Sequence, residues 1–156
     1  MKPGVHFVTV RLRPAEFDFD THLDNFSKLS ALLPPFDKGL ASLIDRLKER
    51  GLFRSTAIMV AGEFGRTPKI NAQGGRDHWA RAMFALMAGG DVEGGQVIGE
   101  TDDRAGAPIG KGYSPDDLAA SFFQNIGINS KHEFETNIGR PINLVRDGKP
   151  IAQLFS

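Results

Sequence analysis

The stretch 36–61, FDKGLASLIDRLKERGLFRSTAIMVA, decides the fold prediction because it joins an amphipathic helix to a short apolar strand. The apolar residues of the helix recur at helical spacing and form one face: Phe36, Leu40, Leu43, Ile44 and Leu47. Gly51 suits the position just after the helix end. The run TAIMVA at 56–61 is typical of a strand buried on both faces.

A second apolar run, VHFVTVRL at 5–12, lies on the other side of this helix. A strand, a helix and a strand in this order predict a βαβ unit, with a right-handed crossover and parallel pairing of 5–12 with 56–61. We therefore expect an α/β fold in which residues 1–156 form one domain around a mostly parallel sheet.

Four further local predictions follow from the sequence. Apolar spacing over 23–33 indicates a helix that Pro34-Pro35 ends before the helix at 36–50 begins. AMFALMA at 82–88 indicates a strand. Ser114-Pro115-Asp116-Asp117 indicates a capped helix start. Asp147-Gly148 indicates the turn of a hairpin over 143–154.

Composition excludes several classes of function. Basic and acidic residues balance at 19 each, without a basic block, so nucleic acid is not an expected partner. The chain lacks cysteine, which excludes disulfides and thiolate metal sites. No apolar run approaches the roughly 20 residues of a membrane span, and the N-terminus does not resemble a signal peptide.

Three short motifs concentrate metal-ligating and anion-binding residues. They are DTH at 20–22, GEFGRTP at 62–68 and GRDHW at 75–79. Open α/β sheets place ligand sites beyond the carboxyl ends of their strands, which is where two of these motifs are expected. Asp20, His22, Glu63, Asp77 and His78 supply carboxylate and imidazole groups suited to zinc, manganese or iron. Arg66 adds a cation that suits phosphate or sulfate.

Each motif also has an ordinary structural interpretation. Asp20 could cap the helix that begins near Leu23. Glu63 and Arg66 could form a surface ion pair, and Asp77 could be a loop carboxylate. Thr67 could bond to its own turn as a structural hydroxyl.

Together the three motifs resemble a bacterial family known as domain of unknown function 1501. The later AGG at 88–90, GGQVIG at 94–99 and TD at 101–102 extend the resemblance over most of the chain. That family is similar to the alkaline phosphatase and sulfatase superfamily. The resemblance implies a three-layer, alkaline-phosphatase-like sandwich with metals at the strand ends, here incomplete and representing the C-terminal portion.

The resemblance also implies roles for single residues. Asp20, His22, Glu63 and His78 match metal ligands, whereas Arg66 and Asp77 match substrate or outer-layer groups. Phe64 stands where many relatives have a second ligand, so one metal site is expected to be poorer. The family nucleophile would precede Met1, which leaves the catalytic residue unassigned.

The function implied is a metal-dependent hydrolase of phosphate or sulfate esters, with zinc, manganese or calcium and a small anionic ester as substrate. This chain on its own is expected to hold metal weakly and to lack enzyme-like activity. The alternative is a non-catalytic binding or assembly module that keeps the fold, including a homo-oligomer formed through an exposed sheet edge. The resemblance suggests that the parent protein is exported.

Overall fold

The computed structural model describes residues 6–11, 19–110 and 112–156. The helices are α1 (Asn25–Glu49) and α2 (Pro115–Asn125), with short 3-10 helices at Phe53–Ser55 and Ala152–Phe155. The strands are β1 (Ile58–Ala61), β2 (Gly65–Arg66), β3 (His78–Trp79), β4 (Ala85–Ala88), β5 (Glu133–Glu135) and β6 (Pro141–Asn143).

The strands described pair as three separate two-stranded antiparallel sheets, β1–β4, β2–β3 and β5–β6. The predicted three-layer, alkaline-phosphatase-like sandwich with a mostly parallel sheet is therefore wrong. Residues 6–11 form no strand, and residues 5 and 12 lie outside the described ranges. The partner of β1 is β4, in the register Ile58 to Ala88, so α1 does not connect two parallel strands.

The helix α1 is continuous where the sequence predicts two helices. Pro34 and Pro35 lie inside it, although each lacks the N–H of a helical hydrogen bond. The apolar positions on the two sides, Leu33 and Phe36, are three residues apart, so the apolar face continues in phase across the prolines. Arg50 ends the helix, and Gly51 follows with a φ of 66°, as predicted.

The other local predictions have mixed outcomes. The start of α2 is confirmed, because Ser114 and Asp117 form a reciprocal capping box with Pro115 as the first helical residue. The strand predicted over 82–88 is present as β4. The hairpin predicted over 143–154 is wrong, since the hairpin is β5–β6. The Asp147-Gly148 segment instead leads to Lys149, whose N–H donates to Asp117 at the start of α2 (2.8 Å).

Few apolar side chains are buried. Within the described ranges, the buried hydrophobic residues are Leu32, Ala120, Val145 and Ile151. The accessible surface is 12008 Å², whereas a compact monomer of 17.0 kDa exposes roughly 7,700 Å². None of the helices described is both long and apolar enough to cross a membrane.

Candidate metal centre

Two segments distant in sequence meet at the site. The segment 20–25 precedes and enters α1, and the segment 71–79 leads into β3. Their backbones bond directly, since the N–H of Arg76 donates to the carbonyl of Thr21 (2.9 Å) and that of Asn25 to Gly74 (3.0 Å). Thr21 is buried and donates its hydroxyl to Asn25 Oδ1 (2.6 Å), which anchors the residue between Asp20 and His22.

The two segments approach so closely that Gly75 must lack a side chain. A Cβ at this position would lie 1.9 Å from the carbonyl oxygen of His22. Beside this contact, β2 and β3 pair Arg66 directly with His78. The chain path therefore brings the first and third motifs, together with Arg66 of the second, to one place.

Asp20, His22 and His78 converge on a single point. Their nearest donor atoms form a triangle: Nε2 of His22 lies 3.1 Å from both Oδ1 of Asp20 and Nε2 of His78, and these two are 3.0 Å apart. Among the described residues, these three side chains form the group of His, Asp and Glu whose ligand atoms lie close enough together to share a cation. The three side chains are 42–50% exposed, so solvent reaches the site.

The spacing and chemistry of these donors fit a transition metal. Ligands at roughly 2.0–2.1 Å from a tetrahedral zinc ion lie roughly 3.3 Å from one another, close to the observed triangle. Two imidazoles and one carboxylate suit zinc or manganese. Calcium, which takes oxygen ligands, fits this donor set poorly.

Glu63, the fourth predicted ligand, is not part of this group. It is exposed in the turn between β1 and β2. Phe64 packs its ring on the ring of His78, with centroids 4.2 Å apart. The residue at the position that the family resemblance associates with a second ligand therefore contacts His78, with the two rings tilted by 46°.

Asp77 and Arg66 form an outer layer. Oδ1 of Asp77 lies 2.8 Å from Nδ1 of His22, so neutral His22 can carry its proton there and present an unprotonated Nε2 to the cluster. Arg66 lies 2.5 Å from Oδ1 of Asp20. Arg66 thus pairs with Asp20, which differs from the ordinary interpretation of a Glu63–Arg66 pair.

The electrostatics keep both acids ionised. Hydrogen bonding to His78 and then to Arg66 lowers the pKa of Asp20 below its usual value. Hydrogen bonding to His22 and then to Asn71 lowers the pKa of Asp77. Ionised carboxylates are the form that binds metal or orients a metal-binding histidine.

The ordinary structural roles predicted for Asp20 and Thr67 have different outcomes. Asp20 does not cap α1, whose N-cap is Asp24 without a side-chain bond. The hydroxyl of Thr67 donates to the carbonyl of Lys69 (2.9 Å) within its own turn, the structural role considered for it. Asn71 contacts both His22 and Asp77, and sequence reasoning missed it because an asparagine in a polar turn carries no distinguishing pattern.

The profile of a known protein family matches residues 1–155 of the chain. The family is described as "Protein of unknown function (DUF1501)", and the match covers nearly the whole sequence, so the chain belongs to this family. Searches of curated proteins and of solved structures give no match.

Proposed function

We propose that this chain carries a divalent-metal site formed by Asp20, His22 and His78, and that the site serves the hydrolysis of phosphate or sulfate esters. The observation that carries the proposal is the triangle of three donor atoms, each 3.0–3.1 Å from the other two. Without a shared proton or cation, such a group of lone pairs would repel.

Each residue of the site has a part in this proposal. Asp20, His22 and His78 would hold zinc or manganese. Asp77 orients His22 through Nδ1. Arg66 lies beside Asp20, with a side chain only 21% exposed, where a guanidinium can pair with the oxygens of an anionic ester. A bound metal would polarise the ester and lower the pKa of a coordinated water.

Similarity to alkaline phosphatases and sulfatases is part of the proposal. It is supported by the order of the motifs and by the combination of acid, histidine and arginine at one site. The antiparallel pairing of β1 with β4 gives it no support.

The first test is titration of the metal-free chain with zinc, manganese and calcium by calorimetry. We expect one saturable site for zinc or manganese, weaker than a closed four-ligand site because three half-exposed donors are present. His78→Ala should abolish this binding. His132→Ala is the matched control, since His132 lies beside β5 and contacts Phe134. Equal binding by both variants would refute the site.

A second assay tests the reaction, with aryl phosphate and aryl sulfate as substrates in the presence of zinc or manganese. Turnover that depends on the metal and is lost in His78→Ala would support ester hydrolysis. Metal binding without turnover of either ester would count against ester hydrolysis by this chain, in line with the expectation that it lacks the nucleophile, and would favour the alternative, a non-catalytic binding module, for this chain. The large exposed apolar surface is the observation that favours this alternative.

A further inference from the structure

Asn71 makes four hydrogen bonds with its side-chain amide. Its Nδ2 donates to the carbonyl of His22 (2.9 Å) and to Oδ1 of Asp77 (3.1 Å). Its Oδ1 accepts from the N–H groups of Gln73 (3.0 Å) and Gly75 (2.9 Å). A primary amide has two N–H donors and two acceptor lone pairs, so this side chain uses all of its hydrogen-bonding capacity.

Both donated bonds act on His22, one directly and the other through Asp77. One holds the backbone carbonyl of His22. The other reaches Oδ1 of Asp77, the same oxygen that lies 2.8 Å from Nδ1 of His22. The side chain of Asp77 is 52% exposed, so a bond from a fixed amide limits its rotation towards water.

From this geometry we propose that Asn71 is a positioning residue for the metal centre. It holds the Asp77 carboxylate against Nδ1 of His22 and thereby selects the tautomer that carries its proton on Nδ1. In that tautomer the lone pair of Nε2 faces Asp20 and His78. The benefit to metal binding rests on the proposed function, whereas the tautomer of His22 is a property of the metal-free chain.

The variant Asn71→Asp separates positioning from folding of the turn. An aspartate keeps an acceptor for the N–H groups of Gln73 and Gly75, so the turn retains its bonds. It loses both donated bonds and places a second carboxylate beside Asp77. Asn137→Asp is the control, because it makes the same chemical change at an exposed position in the β5–β6 turn.

The tautomer is read by two-bond ¹H–¹⁵N correlation spectra of the metal-free chain, with the signals of His22 assigned from His22→Gln. We expect wild type and Asn137→Asp to show the proton on Nδ1. Asn71→Asp should show a mixture of tautomers or the Nε2–H form. Zinc affinity measured in parallel should fall about 10–100-fold in Asn71→Asp, as it does when outer-layer partners of metal-binding histidines are removed.

The outcomes distinguish this inference from the proposed function. An Nε2–H tautomer of His22 in the wild type overturns the inference even if Asn71→Asp does not fold. The inference is also overturned if Asn71→Asp binds zinc with the wild-type affinity and His22 keeps the wild-type tautomer. The metal site would stand in that case. A changed tautomer in a chain that binds no zinc supports the role of Asn71 and refutes the metal site.

Discussion

At the scale of single residues, the contact of Gly75 with His22 sets the shape of the site. The backbone of one segment lies directly on the carbonyl of the other, without a side chain between them. Any β-carbon at 75 therefore has to displace the residue that provides a donor to the cluster. Stability and the geometry of the donors depend on the same contact.

We predict that Gly75→Ala destabilises the chain by about 1–3 kcal/mol and weakens zinc binding, because the new methyl group would lie 1.9 Å from the carbonyl of His22. Urea unfolding and zinc titration measure the two effects. Gly94→Ala is the control, since a Cβ there meets nothing within 4 Å. Wild-type behaviour of Gly75→Ala in both experiments would contradict the described contact.

The lowered pKa values of Asp20 and Asp77 predict an acid-sensitive stability. Each group contributes stability that is present above its unfolded pKa of about 3.9 and is lost as the pH falls through the lower folded pKa. The midpoint of urea unfolding of the metal-free chain should therefore fall between about pH 5 and about pH 3. This decrease should be smaller in Asp77→Asn. An identical decrease would show that Asp77 does not contribute.

At the scale of elements, the end of α1 and the start of α2 could be predicted because their signals are local. Gly51 and the Ser114 capping box act within a few residues of chain. The pairing of β1 could not be predicted, because an apolar run is compatible with several partners and its sequence does not select between 5–12 and β4. Residues 7, 8 and 10 are as apolar as β1, yet Phe7, Val8 and Val10 are exposed.

The residues of the site also divide into those that could be predicted from the sequence and those that could not. Asp20, His22 and His78 could be grouped from their motifs, and the structure brings them together. The same reasoning groups Glu63 with them, but its turn places it outside the cluster. The role of Asn71 depends on the path of the turn between β2 and β3, which no spacing in the sequence reveals.

We predict that Ser114→Ala destabilises the chain by about 1 kcal/mol, because it removes the hydroxyl that accepts from the N–H of Asp117 (3.1 Å) at the start of α2. The loss should appear in urea unfolding with metal absent. Ser42→Ala, in the middle of α1, should leave stability nearly unchanged since alanine is a good helix former. An equal effect of the two substitutions would argue against the capping box.

At the scale of the whole molecule, many large apolar side chains in the described ranges are exposed. The helix α1 carries apolar residues at alternating spacings of three and four across its whole length: Phe26, Leu29, Leu33, Phe36, Leu40, Leu43 and Leu47. Phe26, Leu33 and Leu43 on this face are 63%, 44% and 48% exposed. Monomeric proteins rarely expose contiguous apolar patches of this kind.

We predict that the purified chain binds a hydrophobic dye such as ANS under native conditions, because so much apolar surface is accessible. Leu33→Lys together with Leu43→Lys should reduce dye fluorescence and improve solubility, whereas Ser42→Lys should change neither. Dye fluorescence no greater than that of a compact control protein would contradict the exposed face of α1.

The distance along the chain between the donors of the proposed metal centre has a consequence during synthesis. His22 and His78 are 56 residues apart, and translation at about 5–20 residues per second separates their emergence by roughly 3–11 s. Throughout that interval a nascent chain offers two of the three donors of the proposed site, Asp20 and His22. At the proposed site, complete metal coordination would therefore await translation of the β3 segment, and metal uptake would mark its arrival beside the start of α1.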